Sequence, residues 1–521
     1  MNEENNIKKR VANMESGRQP LKAVSDKCFL QKSYEASTNT ACNQTELSKT
    51  RVIFLNLSWF GMNSMYLILS VEVVPSQVHA LVGSEMKGQI FGAMVASGAI
   101  VTFLISPWIG IQSDRLASPF GKRRPFMVCG TVLLCISLFG MAFSAPGSKL
   151  HKSNTTCEID IEVRRCAPYT NNITYLQSLE SNKTRGRHDD ESLLRALVRE
   201  NEPDRSGKLG LYFIFYLCVM ATYAMIGVPY NGLIADQTPP SQRGFSSGVM
   251  GAMTLCGNIA GAILGFFYTK FGVVPTYGTI TILFFVCVMI TVIATPEKRS
   301  YPPKTPLDFR TFFSAYWEPL KENDFRWVFI TRFLMQQAIA TVVGFLEFWL
   351  GDMVNLPNCW SPENAVAIVL LPLLLSASVF SVIGGFLSDR LRRRKPLVTG
   401  SAILMAICSL IFTGLQGNYA FYAVIPVSLT FGIGFGAYLA VDFALVMDVL
   451  PDEKDKAKDL AVWHQALVLP QAVATPIGGV ILDGFNHVNC RIGLGYIILF
   501  FITSVYFATS GYLVKFIKRA K

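Results

Sequence analysis

Charge is scarce in this chain. Of 521 residues, 16% are charged and 51% apolar, whereas a water-soluble protein carries about 25% charged residues. So few charges cannot cover a solvated surface, which argues against an ordinary cytosolic enzyme. Residues 1–50 hold Lys8-Lys9-Arg10 and many Asn, Ser and Thr. They lack the apolar core of a cleaved secretory signal, so the first hydrophobic helix is expected to act as its own targeting signal and leave the N-terminus in the cytosol. The sequence shows no metal-ligand spacing, no Walker loop and no nucleophile elbow. It is read as neither a pump driven by ATP nor a hydrolase, and no metal or other cofactor is expected. Apolar bulk is abundant: 37 Phe, 40 Gly and 7 Trp, at a mean hydropathy of +0.36. That excludes a disordered chain, a disulfide-stapled mini-protein and a collagen, and makes a lipid bilayer the simplest solvent.

A spanning helix needs about 20 mostly apolar residues. Such windows fall near 52–74, 88–112, 125–145, 209–234, 246–269, 273–295, 327–350, 365–387, 396–416, 419–447, 460–483 and 493–514, which makes twelve. Several are interrupted by proline (Pro107, Pro229, Pro372, Pro426, Pro470, Pro476), as spanning helices tolerate when neighbours re-satisfy the backbone. With a cytosolic N-terminus, the inner loops and tail hold 23 Lys and Arg, and the short outer loops only Lys87, Lys270 and Arg491. This bias puts both termini in the cytosol. It also accounts for the net charge of +11 as a matter of topology, so no nucleic-acid partner is expected.

One outer loop is long, roughly 146–208. It carries sequons at Asn154, Asn172 and Asn182, so a glycosylated loop in a eukaryotic secretory-pathway membrane is expected. Cys157 and Cys166 share this loop and are expected to form a small local disulfide in an oxidising compartment. Cys359 and Cys490, in outer loops 7–8 and 11–12, could form a second, subject to their separation. The expected organisation is a disordered tail (1–50), a first six-span unit (51–295), a cytosolic linker (296–326), a second six-span unit (327–514) and a short tail (515–521).

The two units share words. Gly110-Ile111-Gln112-Ser113-Asp114-Arg115, then Lys122-Arg123-Arg124-Pro125, lies between spans 2 and 3. Gly385-Phe386-Leu387-Ser388-Asp389-Arg390, then Arg393-Arg394-Lys395-Pro396, lies between spans 8 and 9, at an offset of 275. Asp236 and Pro239 after span 4 match Asp448 and Pro451 after span 10, at an offset of 212. The two offsets differ by 63, close to the excess length of outer loop 3–4, so one duplication explains both. The basic clusters either anchor topology or, with Asp114, Arg115, Arg123, Asp389 and Arg390, latch the inner face. Asp236 and Asp448 are candidate partners for Arg115 and Arg390.

These words resemble the loop 2–3 signature of the major facilitator superfamily, here present twice. Phe120-Gly121-Lys122-Arg123-Arg124-Pro125-Phe126, Val71-Glu72-Val73-Val74-Pro75 and Val228-Pro229-Tyr230-Asn231-Gly232-Leu233-Ile234-Ala235-Asp236 look more narrowly like the sucrose/proton symporters and their animal relatives. The last also echoes the bacterial glycoside–cation symporters. The resemblance implies an all-α membrane protein of twelve transmembrane helices, in two six-helix bundles around a central cavity. It further implies proton-coupled sugar transport by alternating access. One departure is clear: the plant sucrose symporters carry Arg at the position of Asn231, working with an acid in span 1, and here that position is neutral.

A charge in the hydrocarbon costs at least roughly 2.5–3.5 kcal/mol, so each needs a reason. Glu72 is the foremost proton-coupling or substrate candidate, against a solvated residue at the outer mouth. Arg332 and Glu347, fifteen residues apart on span 7, lie about 22 Å apart along a helix and cannot pair. Arg332 is read as snorkelling or functional, and Asp442 in span 10 as part of an inner gate. His464, Gln465 and Gln471 in span 11 supply neutral donors and acceptors of the kind a sugar site needs. Tyr230, Trp349 and Trp463 could stack on a sugar, and Gly257, Gly261 and Gly265 in span 5 are spaced for helix packing.

The reading is a monomeric secondary transporter, a proton symporter for a small neutral sugar or glycoside. The rivals are a carrier of the same fold for a polyol, nucleoside, amino acid or lipid, and a non-transporting sensor. Tails too short for a packed domain favour transport over sensing. The plasma membrane is slightly preferred to endolysosomal membranes.

Overall fold

Twelve helices long and apolar enough to cross a bilayer dominate the computed structural model, which describes residues 47–146, 159–169, 207–239, 242–297, 318–391, 393–449 and 456–519. They are α1 (Lys49–Val82), α2 (Lys87–Arg115), α3 (Arg124–Ser144), α4 (Leu209–Gln237), α5 (Arg243–Phe266) and α6 (Val273–Ala294). The second half holds α7 (Asn323–Met353), α8 (Pro362–Leu391), α9 (Lys395–Gly414), α10 (Ala420–Val449), α11 (Lys456–Val488) and α12 (Leu494–Leu513). Among the described residues the one β-type contact is an isolated bridge between Val354 and Gly417.

Each expected span is found, and several run longer. Helices α1, α7 and α11 have 34, 31 and 33 residues, about 45–50 Å at 1.5 Å per residue. A hydrocarbon core of about 30 Å leaves their ends among headgroups and solvent, where polar ends cost little. Side chains such as Phe143, Ile293 and Val382 point outward, 79%, 70% and 74% exposed. So much apolar surface turned outward suits lipid and would be a liability in water.

The packing repeats as the sequence does. In the first half α1 packs on α5 and α6, α4 on α2 and α3, and α3 on α6. In the second, α7 packs on α11 and α12, α10 on α8 and α9, and α9 on α12. Adding six to each helix number turns one set into the other, so the chain forms two like six-helix bundles. The bundles meet mainly through α2 with α11 and α5 with α8, contacts that the same operation exchanges. Glycines bring these helices close. A Cβ on Gly92 would fall 2.4 Å from the Thr475 carbonyl, and one on Gly479 2.0 Å from the Gly88 carbonyl. The expected glycine stripe of α5 packs on α1 as read, with Gly257 against Phe60 and Gly261 against Ser64.

Candidate functional site

Helix α1 does not cross as one regular helix. Residues Leu69–Val73 form a π-helical turn, in which the Val74 N–H donates to the Leu69 carbonyl, five residues back. The cause is local: Pro75 has no N–H to continue the ladder, and its ring crowds the carbonyl four residues before it. Such turns widen a helix and often sit at functional positions. Glu72 occupies this one, fully buried, with neither carboxylate oxygen hydrogen-bonded. The third glycine of the α5 stripe makes room for it. A Cβ at Gly265 would fall 1.1 Å from Glu72 Oε2, so any side chain there displaces the carboxylate. Glu72 is thus inside the protein, and the solvated-mouth alternative fails. Glu347, also buried, stands 275 residues later on α7 and is its repeat mate.

One turn further along α1, sequence reasoning missed a polar cluster. Ser76 Oγ donates to Glu363 Oε1 on α8 at 2.6 Å. Gln77 donates to the Tyr268 hydroxyl at 3.0 Å and accepts from the Tyr277 hydroxyl at 2.9 Å. Its sequence signal was weak, because Glu363 follows a proline in the first turn of a span, where an acid is ordinary.

Beside the π-helical turn, α1, α2 and α4 line a small, mostly apolar cavity of ≈ 10 Å³ whose wall includes Met65, Tyr66, Ser70, Phe91, Tyr216 and Tyr223, room for about one water molecule. The Tyr66 hydroxyl donates to Gln471 Oε1 of α11 at 2.8 Å, joining a residue named from sequence to one that was not. In this conformation the space is too small for a sugar ring.

Other candidates fall elsewhere. Tyr230 is fully buried, donates to the Leu55 carbonyl at 3.0 Å and packs on Trp59. It holds α4 to α1 and has no face free for a sugar, so its assignment to the site is corrected. Asn231, beside it, is exposed. Trp349 is also buried, against Phe412 and Phe500. Arg332 neither snorkels nor reaches Glu347: it is buried, pairs with Asp442 of α10, and lies 3.6 Å over the Trp463 ring. Asp442 is therefore half of a buried ion pair joining α7 to α10. His464, next to Trp463, is exposed and Gln465 half-buried. On α7, Gln337, its amide turned as its neighbours require, donates to the Pro470 carbonyl and accepts from the Ala474 N–H, both at 3.1 Å. It thereby bridges the ladder of α11 beside a proline.

The two ends of the bundles differ. At the end bearing loop 2–3, Arg123 pairs with Asp114 at 2.6 Å and with Asp236 at 3.4 Å, and its Nη1 donates to Ser113. Lys122 pairs with Asp236 at 3.0 Å, and Glu297 accepts from the N–H groups of Arg123 and Arg124, both at 3.0 Å. All these residues belong to the first bundle. Asp236 thus meets Lys122 and Arg123, and its proposed pairing with Arg115 is corrected. Arg115 and Arg390 lie in the last turns of α2 and α8, and the side chains of Asp389 and Asp448 lie outside the described residues.

At the end bearing loop 3–4 the ties cross between bundles. Lys87 Nζ, buried at the start of α2, meets Asp352 of α7 at 2.6 Å, and Asp352 also accepts from the Tyr496 hydroxyl at 2.6 Å. Asp483 of α11 caps α2 in trans, accepting from Gly88 N at 3.3 Å and Gln89 N at 2.7 Å. Above them, a short helix, Ile161–Cys166, lies on the second bundle. Arg165 donates to the carbonyls of Cys490 and Arg491, Arg164 to Asn355, and Arg491 pairs with Glu162 at 3.1 Å. Burial pulls the Arg165 guanidinium below its usual pKa, opposed by the carboxylates of Asp352 and Glu162. Cys166 is bonded to Cys490. The expected Cys157–Cys166 bridge is therefore wrong, as is a pairing of Cys359 with Cys490. Cys157 and the sequons at Asn154, Asn172 and Asn182 lie outside the described residues. By these contacts the end bearing loop 3–4 is closed.

Comparison with known proteins places this architecture. A sequence model of the Major Facilitator Superfamily matches residues 206–457. The sucrose transport protein SUT3 of Oryza sativa subsp. indica is 33% identical over 63 residues, 12% of this chain and 12% of its own length. SUT5 from the same source is 42% identical over 48 residues, 9% of each. The chain thus aligns with only about an eighth of these relatives' length or less. Among solved structures, the D-xylose-proton symporter superposes with a TM-score of 0.58 at 16% identity, covering 92% of this chain and 99% of its own. The nucleoside transporter NupG does so at 0.55 and 12%, covering 90% and 98%. The likeness at such identity is one of fold: the chain has the major facilitator fold and resembles the sucrose transporters locally.

Proposed function

We propose that this chain, a twelve-helix protein of the major facilitator fold, is a secondary active transporter that carries a small neutral sugar or glycoside together with protons. The observation that carries the reading is Glu72, a fully buried carboxylate without a hydrogen bond, in a π-helical turn beside an aromatic cavity. An unpaired carboxylate is unfavourable in such a place while ionised. Neutral while it carries a proton, Glu72 can hold that proton while the substrate is bound and release it on the other side when the bundles rock. Tyr66, Ser70 and Gln471 offer the neutral hydrogen-bonding groups that sugar hydroxyls take, and the local likeness to sucrose transporters supports the same solute class. With the basic loops in the cytosol, as their Lys and Arg excess favours, the loop 3–4 end faces out, and on this reading the conformation is outward-closed. Arg332, Asp442 and Trp463 brace the second bundle, and the Asp114–Arg123–Asp236 group braces the cytosolic end of the first.

The test is uptake of labelled sucrose, glucose and a polyol into proteoliposomes, with and without an inward proton gradient. Uptake of at least one solute that rises with the gradient is the expected result. No uptake of any of them by folded protein would refute the substrate class, and uptake indifferent to the gradient would refute the coupling.

A further inference from the structure

One cation at the closed end is held by neutral groups alone. Arg165 is 3% exposed. Its Nε donates to the Cys490 carbonyl at 2.6 Å, Nη2 to the Arg491 carbonyl and Nη1 to Met353 Sδ at 2.8 Å. A buried charge ordinarily lies against one of opposite sign, yet among the described residues no carboxylate is paired with this guanidinium. Of the groups whose charge opposes the effect of burial on Arg165, Asp352 is the strongest, ahead of Glu162, Tyr496 and Asp160. Glu162 is held by Arg491, and Asp160 caps the short helix by accepting from the Glu162 N–H at 3.1 Å. Asp352 precedes Met353, whose sulfur the guanidinium touches, and in this conformation it is taken by Lys87 of the first bundle.

The segment that carries Arg165 belongs by chain to the first half and by contact to the second. Cys166 is bonded to Cys490, Arg164 donates to Asn355, Arg491 pairs with Glu162, and the Tyr169 ring stands edge-on to His487 with centroids 4.8 Å apart. Lys87, in contrast, starts α2 and goes with the first bundle. We infer that Arg165 is the alternate counter-ion of Asp352: when the loop 3–4 end opens and Lys87 withdraws, the guanidinium turns from the carbonyls of Cys490 and Arg491 to the carboxylate. Without it Asp352 would enter the open state with its charge uncompensated, which disfavours opening. A guanidinium at hand, with a planar fork that fits a carboxylate, removes that penalty. The carbonyls it leaves lie in a turn where Cys490 is half-buried and Arg491 exposed, so water takes its place there. Asp352 is then paired in both states, by Lys87 in one and Arg165 in the other. This positioning role rests on the transporter reading for the motion alone, not for the solute.

The experiment is hydrogen–deuterium exchange of the full-length protein in lipid nanodiscs, at a single pH and without solute. Its readout is the first turn of α2, where the Gly88 and Gln89 N–H groups have Asp483 of the other bundle as acceptor. They lose that acceptor when the bundles part, so their protection follows the closed-to-open ratio. Arg165→Gln removes the cation from the open state and is expected to raise this protection about tenfold, the scale of one charge-assisted hydrogen bond. Arg165→Lys keeps a cation, cannot span both carbonyls, and should stay close to wild type. In a background combining Lys87→Met with Asp352→Asn, which holds neither charge, Arg165→Gln should change nothing. An arginine that only braces the short helix gives the opposite sign, because its loss loosens the closed end and protection falls, equally in both backgrounds. A fall, no change in the wild-type background, or the same change in both overturns the proposal. Should Arg165→Gln not fold, Arg165→Lys decides: protection close to wild type supports the exchange of partners, and a loss of protection overturns it. No solute takes part, so failure of the sugar assignment leaves the result standing. Conversely, a chain that transports sugar but fails this test keeps the transporter reading and loses the role of Arg165.

Discussion

The two ends of the molecule spend their charges differently. At the loop 3–4 end, Lys87, Asp352, Asp483, Arg165 and the Cys166–Cys490 bond each join the first bundle to the second. At the loop 2–3 end, Asp114, Lys122, Arg123, Asp236 and Glu297 join helices of one bundle to each other. A contact between bundles biases which conformation is populated, whereas a contact within a bundle strengthens the body that moves. Substitutions at the two ends should therefore separate into changes of population and changes of stability.

The largest effect is expected at the buried pair. Lys87→Met leaves Asp352 in the interface without its cation, at a cost of about 3–5 kcal/mol, and shifts the population toward outward-open by two to three orders of magnitude on the scale of about 1.4 kcal/mol per tenfold. Spin labels on the outer ends of α2 and α11 should report the longer distance; an unchanged distance distribution would break the contrast. Next is the disulfide. Cys166→Ser and Cys490→Ser should each shift the population toward the form open at this end and, because a cross-link is also lost from the unfolded chain, lower thermal stability by about 2–4 kcal/mol, and the double variant by no more than either alone. Additive losses would show that the two sulfurs act separately.

Arg332→Leu tests the second bundle by the same logic. Stranding Asp442 should destabilise by about 3–5 kcal/mol, and adding Asp442→Leu should recover most of it. The population of open and closed forms should stay put. The smallest effect is at the loop 2–3 end. Asp114 and Asp236 are 57% and 40% exposed, so Asp236→Asn should cost about 1 kcal/mol or less, read in thermal melts and weaker in high salt. A large population shift from Asp236→Asn would mean that this end also clasps the bundles.

Much of this was legible in the residues. Twelve spans follow from hydropathy alone. The duplication follows from two short words, and the same offset of 275 that relates Gly110 to Gly385 relates Glu72 to Glu347. Burial of Glu72 was readable because nothing else in its window is charged. What escaped depends on which helices meet. Cysteines 324 residues apart give no local sign of pairing, and Cys166 had a nearer partner to suggest the wrong bridge. Lys87, Asp352 and Asp483 looked like span edges, where charge needs no explanation. Tyr230 shared a motif with Asn231, but only packing shows that it faces Leu55 and Trp59. Asp236 found Arg123 and not Arg115 because α3 starts beside the end of α4, a neighbourhood that no spacing records.

The central claim is that Glu72 couples a proton to the solute without being needed to hold the bundles together. The direct test compares wild type and Glu72→Gln in proteoliposomes for two activities on one solute: exchange at equal pH, and accumulation driven by a proton gradient. Exchange retained with accumulation lost is the predicted result for Glu72→Gln. Accumulation at the wild-type level would contradict the account and leave Glu72 a structural residue.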